Sequence, residues 1–186
     1  MQLNSNDETV QDRPGVGGVF NSPAAFEWLD EITESNSVMS AILAIIHPKL
    51  YKAGRKTFDY TRNAAKTAAD LKGQNVLSRW TSVFNGLSVI GNRVTPLHQD
   101  VNSRVQWYDL LITLGSYRDC TLELPGAGCS LEYGPGTVVG LSGMVLAHEV
   151  PKFDGERVCY AYFMRNNVHE WATVRGEGWM NTEYYK

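Results

Sequence analysis

No stretch of this 186-residue sequence runs for about 18 apolar positions, the length a helix needs to cross a bilayer, so no membrane-spanning helix is expected. The opening "MQLNSNDETVQDRPG" is polar and acidic and lacks an apolar core, so no secretory signal is expected either. Cysteine is scarce. Cys120, Cys129 and Cys159 are odd in number and follow no zinc-like spacing, which argues against a disulfide framework and points to small, buried free thiols in an intracellular, reducing compartment. There is no internal repeat, which speaks against a solenoid or propeller. Histidine is nearly as scarce, at His47, His98, His148 and His169, so any imidazole chemistry must draw on these four.

What is present is ordinary in total and uneven in distribution. The length suits one domain with a real core, and the composition is 43% hydrophobic and 20% charged. The net charge of −3 splits into −6 over residues 1–48, +7 over residues 49–93 and −4 over residues 94–186. A basic middle third marks a polyanion-facing surface or a merely solvated helix, and the pattern alone does not choose.

Residues 1–22 read as a flexible arm, since "RPGVGG" has no apolar period. Residues 23–80 read as helical. Ser22 is placed as an N-cap with Pro23 at the first helical position, a second helix breaks near Pro48, and "TRNAAKTAADLKG" is expected to end at Gly73. From residue 82 to about 170 the period shortens to two. "SVFNGLSVI", "WYDLLITLG", "CTLELPG", "CSLEYGPG", "TVVGLSG", "MVLAHEV" and "RVCYAYFMR" are β-rich runs punctuated by Gly and Pro, the signature of an all-β sandwich or barrel. The expected class is α+β, with N-terminal helices packed against the barrel and covering one sheet.

His98 and Asp100 lie at i and i+2, so on an extended segment both side chains leave the same face. His148 would otherwise interrupt the apolar run "GMVLAHEV". Two imidazoles and a carboxylate are the facial triad of non-haem Fe(II) oxygenases, although zinc accepts the same donors. Arg157 follows at the start of a strand whose alternation puts Arg157, Cys159 and Ala161 on one face. A guanidinium beside small residues suits bidentate capture of a carboxylate, as a dicarboxylic keto-acid bound to iron would require. His47 and His169 are read as structural, Met144 and Met164 as core fillers.

The ordered series "GNRVTPLHQD", "WYDLLITLG", "LELPGAG", "YGPGTVVGLSG", "HEV" and "GERVCYAYFMR" resembles the TET and J-binding-protein dioxygenases, most of all the expanded set of mushroom-forming fungi. The likeness covers roughly residues 41–169. It implies a double-stranded β-helix of jelly-roll or cupin-like form, Fe(II), 2-oxoglutarate with O2 as co-substrate, and oxidation of a methylated base in DNA. The implied metal ligands and catalytic residues are His98, Asp100 and His148, with Arg157 holding 2-oxoglutarate. Two departures stand out: the sequence has no cysteine-rich zinc region of the kind animal TET proteins use on DNA, and Gln99 stands where many relatives carry a basic residue.

A methyl group on a paired base cannot reach buried iron, so the base must be flipped out or presented single-stranded. Lys49, Lys52, Arg55, Lys56, Arg62 and Lys66 are candidates for phosphate contacts. Asn102, Arg104 and Gln99 are candidates for the base or its flanking phosphate, and Arg93 for 2-oxoglutarate, phosphate or a surface ion pair. Trp107 and Tyr108 suit base stacking or the core. The leading reading is oxidation of 5-methylcytosine to 5-hydroxymethylcytosine, with further oxidation left open; the alternatives are N6-methyladenine demethylation by the same chemistry, a small-molecule 2-oxoglutarate dioxygenase, or a non-catalytic DNA-binding barrel. A DNA substrate implies a nuclear location; no membrane and no obligate protein partner are expected.

Overall fold

The computed structural model describes residues 15, 17–101, 103–181 and 183. The chain divides into two compact units: the segment before Leu87 together with the segment after Phe163, and Leu87–Phe163.

The first unit is helical: α1 (Pro23–Glu31), α2 (Thr33–Ile46), α3 (Pro48–Thr67), α4 (Leu71–Arg79) and, after the strands, α5 (Asn166–Trp171). Among the described residues no helix is long and apolar enough to cross a membrane. The longest helix, α3, buries Leu50, Ala53, Gly54, Thr57, Thr61 and Ala65, a stripe at helical spacing, and leaves its cations on the other side. His47 joins α2 to α3. It is buried, and its Nδ1 accepts from the backbone N–H of Leu50 at 3.3 Å, so a histidine does the capping that Ser or Asp usually does. His169 is buried beside the Thr57 hydroxyl at 3.1 Å. Both therefore take the structural role expected of them.

Several details differ from the sequence reading. The segment 68–73 does not end on Gly73. The turn comes earlier, with Ala69 at φ 52°, and Asp70 caps α4 by accepting from the Gly73 backbone N–H at 2.9 Å. A Cβ on Gly73 would meet Asp70 Oδ2 at 2.3 Å, so this glycine serves a helix start. Ser22 holds the N-cap position of α1 without a side-chain bond. The first 14 residues of the expected arm lie outside the described residues, but its end, Gly18–Asn21, forms a 3-10 turn with Phe20 buried. No run predicted α5.

The second unit is a sandwich of two four-stranded sheets. Its strands are β1 (Gly86–Gly91), β2 (Thr95–His98), β3 (Asp109–Arg118), β4 (Thr121–Leu124), β5 (Cys129–Glu132), β6 (Val138–Leu141), β7 (His148–Val150) and β8 (Asp154–Phe163). The sheet orders are β1-β8-β3-β6 and β2-β7-β4-β5, and β3 runs antiparallel to both β6 and β8, as β7 does to β2 and β4. Such interleaving of early and late strands is the jelly-roll pattern. Leu111, Tyr117 and Cys159 of one sheet meet Leu122, Leu124 and Val150 of the other in a single core, because alternate positions of each strand face inward. Cys129 and Met144 are exposed rather than buried; each sits beside a turn, where alternation no longer decides orientation.

Candidate metal centre

The pairing of β2 with β7 sets His98 directly opposite His148. Cross-strand partners share a face, and the two imidazoles lie 4.3 Å apart between centroids. Asp100 follows two residues later. Its Oδ1 is 3.7 Å from His98 Nε2 and its Oδ2 3.8 Å from His148 Nε2, and the three donor atoms all lie within 4.8 Å of one another. These separations are too long for hydrogen bonds. They match the roughly 3–4 Å between donors that each sit about 2.1 Å from one ion.

Hydrogen bonds prepare both rings for that role. His98 Nδ1 donates to the Pro96 carbonyl at 2.9 Å and His148 Nδ1 to the Leu146 carbonyl at 3.0 Å. A carbonyl only accepts, so each Nδ1 carries the proton and each Nε2 offers a lone pair. The His148 side chain is only 6% exposed, against 37% for His98 and 42% for Asp100. The centre is walled on the His148 side and open on the other, as a site that admits a reactant requires.

Gly143 makes room for the carboxylate. A Cβ there would lie 2.4 Å from Asp100 Oδ2 and 2.8 Å from the buried Asp109, and the Gly143 carbonyl accepts the Asp100 backbone N–H at 2.9 Å.

Arg157 lies on β8, in the other sheet, and faces the core as alternation predicts. It is 2% exposed. Its guanidinium lies over Tyr133 at 5.1 Å and Phe153 at 5.7 Å, its Nε has no hydrogen-bond partner, and among the described residues no carboxylate pairs with it. Burial pushes the Tyr133 hydroxyl and the Cys159 and Cys120 thiols up, against the opposing pull of Arg157. Those neighbours stay neutral, and the cation stays uncompensated. A buried guanidinium with no counter-charge is costly, and a carboxylate of a bound diacid is the partner that suits its fork. Asn92, at φ 47°, holds the strand there: its Oδ1 accepts from the Arg157 N–H at 2.8 Å and its own N–H donates to the Arg157 carbonyl at 2.7 Å.

The remaining candidates disperse. Arg93 is exposed in the β1–β2 loop, with no hydrogen bond or ion pair among the described residues. Asn102 lies outside the described residues. Arg104 is half-buried with its guanidinium 5.6 Å from the Trp107 ring, and Trp107 itself is buried core. The Gln99 carboxamide donates to the Met144 and Val145 carbonyls. Sequence reasoning missed Gly143 and Asn92. In sequence the first shows only as turn punctuation, and the "GN" pair before β2 is the available signal for the second.

The family model for the oxygenase domain of the 2-oxoglutarate/Fe(II)-dependent dioxygenase superfamily, Tet/JBP, matches residues 20–166. A solved structure of NgTET1 in complex with 5mC DNA matches with a TM-score of 0.59 at 15% identity, over 91% of this chain and 61% of that one. That likeness is one of fold, and this chain spans about three-fifths of the NgTET1 chain. No curated protein matches the sequence.

Proposed function

Because the chain belongs to the Tet/JBP family of oxygenase domains, which uses Fe(II) and 2-oxoglutarate, we propose that it oxidises the methyl group of 5-methylcytosine in DNA to 5-hydroxymethylcytosine. The observation that carries this reading is the pairing of a His-Asp-His cluster with a buried Arg157 that has no carboxylate partner among the described residues, inside one β-sandwich. The ordered motif series favours a place in the expanded mushroom set, and a DNA substrate favours work in the nucleus.

When bound, Fe(II) and 2-oxoglutarate supply the oxidising chemistry with dioxygen. The protein's part is positional. His98, Asp100 and His148 hold the metal through Nε2, a carboxylate oxygen and Nε2, with both rings fixed by their backbone acceptors. Arg157 holds the remote carboxylate of the cosubstrate, while Tyr133 and Phe153 cover its guanidinium and keep water away. The target base reaches the centre from the exposed side of His98 and Asp100, flipped out of the duplex. Lys49, Lys52, Arg55, Lys56, Arg62 and Lys66 are all exposed on α3 and supply phosphate contacts. NgTET1 was solved with 5mC DNA, which favours the same base here.

The test is mass spectrometry of nucleosides after incubation with methylated duplexes, Fe(II) and 2-oxoglutarate. 5-Hydroxymethylcytosine is expected from the parent and none from His98→Ala, Asp100→Ala or His148→Ala. Loss of N6-methyladenine with 5-methylcytosine untouched would move the activity to adenine. Succinate formation that no DNA stimulates would point to a small substrate.

A further inference from the structure

We propose that Gln99 is a positioning residue for the metal centre: its carboxamide ties the β6–β7 loop to the ligand-bearing segment and thereby holds Asp100 and His148 in place. The inference rests on the reading of His98, Asp100 and His148 as ligands.

Gln99 sits between two of those ligands, and its own side chain is turned away from them, onto the loop. Its Nε2 is 3.0 Å from the Val145 carbonyl and 3.3 Å from the Met144 carbonyl. Both acceptors are oxygens, so the amide can face them only with its NH2 group. The loop is tightly wound, with the backbone N–H groups of Val145 and Leu146 donating to the Ser142 carbonyl at 3.0 and 2.9 Å. From this one turn come the backbone acceptors that serve two of the three ligands. The Gly143 carbonyl takes the Asp100 N–H at 2.9 Å, and the Leu146 carbonyl takes His148 Nδ1 at 3.0 Å.

Packing does not fix the middle of this loop. Met144 is 38% and Val145 44% exposed, so little apolar contact holds their backbone. Leu146 packs against the core at one end, and the Ser142 hydroxyl donates to the Val105 carbonyl at the other. Between those anchors, the carbonyls of Met144 and Val145 are held by Gln99. If that tie is lost the turn can shift, carrying the Gly143 and Leu146 carbonyls with it, and the ligands follow. Partners that orient metal ligands are worth about 10–100-fold in affinity. Gln99 acts through backbone rather than directly, which puts it at the lower end.

The experiment is a Co(II) titration of the metal-free full chain, read by visible absorption, alongside its thermal unfolding. Gln99→Met keeps length and charge but has no donor. Gln99→Arg restores donors while adding a positive charge that by itself repels a cation. The expected result is about tenfold weaker Co(II) binding in Gln99→Met, recovery of most of that loss in Gln99→Arg, and metal-free midpoints equal to the parent's. Gln99→Met binding as tightly as the parent overturns the proposal. So does Gln99→Arg binding more weakly than Gln99→Met, since charge would then govern, or a fall in the metal-free midpoint that accounts for the lost affinity. A parent that binds no Co(II) overturns the metal site itself, a different result from a parent that binds and a variant that binds equally.

Discussion

Gly143→Ala would probe the metal centre with a single methyl group. The added Cβ would lie 2.4 Å from Asp100 Oδ2, 3.1 Å from Asp100 Cβ and 2.8 Å from Asp109 Oδ2. Unstrained contacts need about 3.5 Å or more, so the methyl crowds both carboxylates, Asp100 by roughly 1 Å and Asp109 by somewhat less. Asp109 is 2% exposed and walled in, whereas the Asp100 side chain is 42% exposed and can swing toward water. Asp100 therefore gives way. For the fold the cost is one methyl overpacked against the fixed, buried Asp109, about 1–3 kcal/mol. For the metal it is severe: a ligand displaced by about 1 Å should lower turnover by about 100-fold. Co(II) titration, nucleoside oxidation and thermal unfolding on the same preparation separate the two effects. Gly115→Ala is the contrasting control, because Gly115 has φ +128° and a Cβ there would meet the Glu156 carbonyl at 2.1 Å. That collision is with backbone in the β3–β8 pairing, so it should lower the unfolding midpoint. Metal binding and turnover by Gly143→Ala equal to the parent's would refute the placement of Asp100 at the ion.

Replacing Arg157 by Met should raise the 2-oxoglutarate concentration for half-maximal turnover by roughly 30–140-fold, the equivalent of about 2–3 kcal/mol for a charged hydrogen-bonded pair. Lys should recover only part of this. The Met variant should not unfold earlier than the parent, since the buried charge it removes has no carboxylate partner among the described residues; an unchanged cosubstrate titration removes Arg157 as the anchor. If the six exposed α3 cations each meet a phosphate, log affinity for duplex DNA should fall against log salt with a slope of about −5. A flat salt response takes α3 out of the interface.

The legible parts of this molecule are those that depend on short-range periodicity. Alternation located seven of the eight strands and put Arg157, Cys159 and Ala161 on the core side of β8, where Arg157 and Cys159 are buried and Ala161 packs on the core. It missed β2, which has only four residues, one of them Pro96, too short and too interrupted to show a period. The i, i+2 rule foresaw that His98 and Asp100 share a face. It could not foresee the register that brings His148 opposite His98, because pairing between distant segments is set by the whole sheet. Gly73 went wrong for a local reason: glycine marks helix ends well, but the carboxylate three residues earlier made it part of a helix start. Gly143 was invisible as a site residue because its role is the absence of a side chain beside two carboxylates. Only coordinates bring those together.

The two sheets divide the chemistry, and the electrostatics of the core explain why the division works. One sheet carries the histidine ligands on β2 and β7, with Asp100 just past the end of β2; the other carries Arg157 on β8. Between them a protein usually buries only apolar groups, and a guanidinium placed there would normally recruit a carboxylate or ionise a neighbouring thiol or phenol. Neighbouring groups of that kind are Tyr117, Tyr133 and Cys159, and burial pushes all three up against the pull of the cation. Aromatic faces, which attract a cation without neutralising it, take the place of a counter-charge. The full positive charge is thus kept for an incoming anion, and no internal carboxylate must be displaced when a diacid binds. The stability given up by burying an unpaired charge is the physical basis of the cosubstrate selectivity that the Arg157 variants would measure.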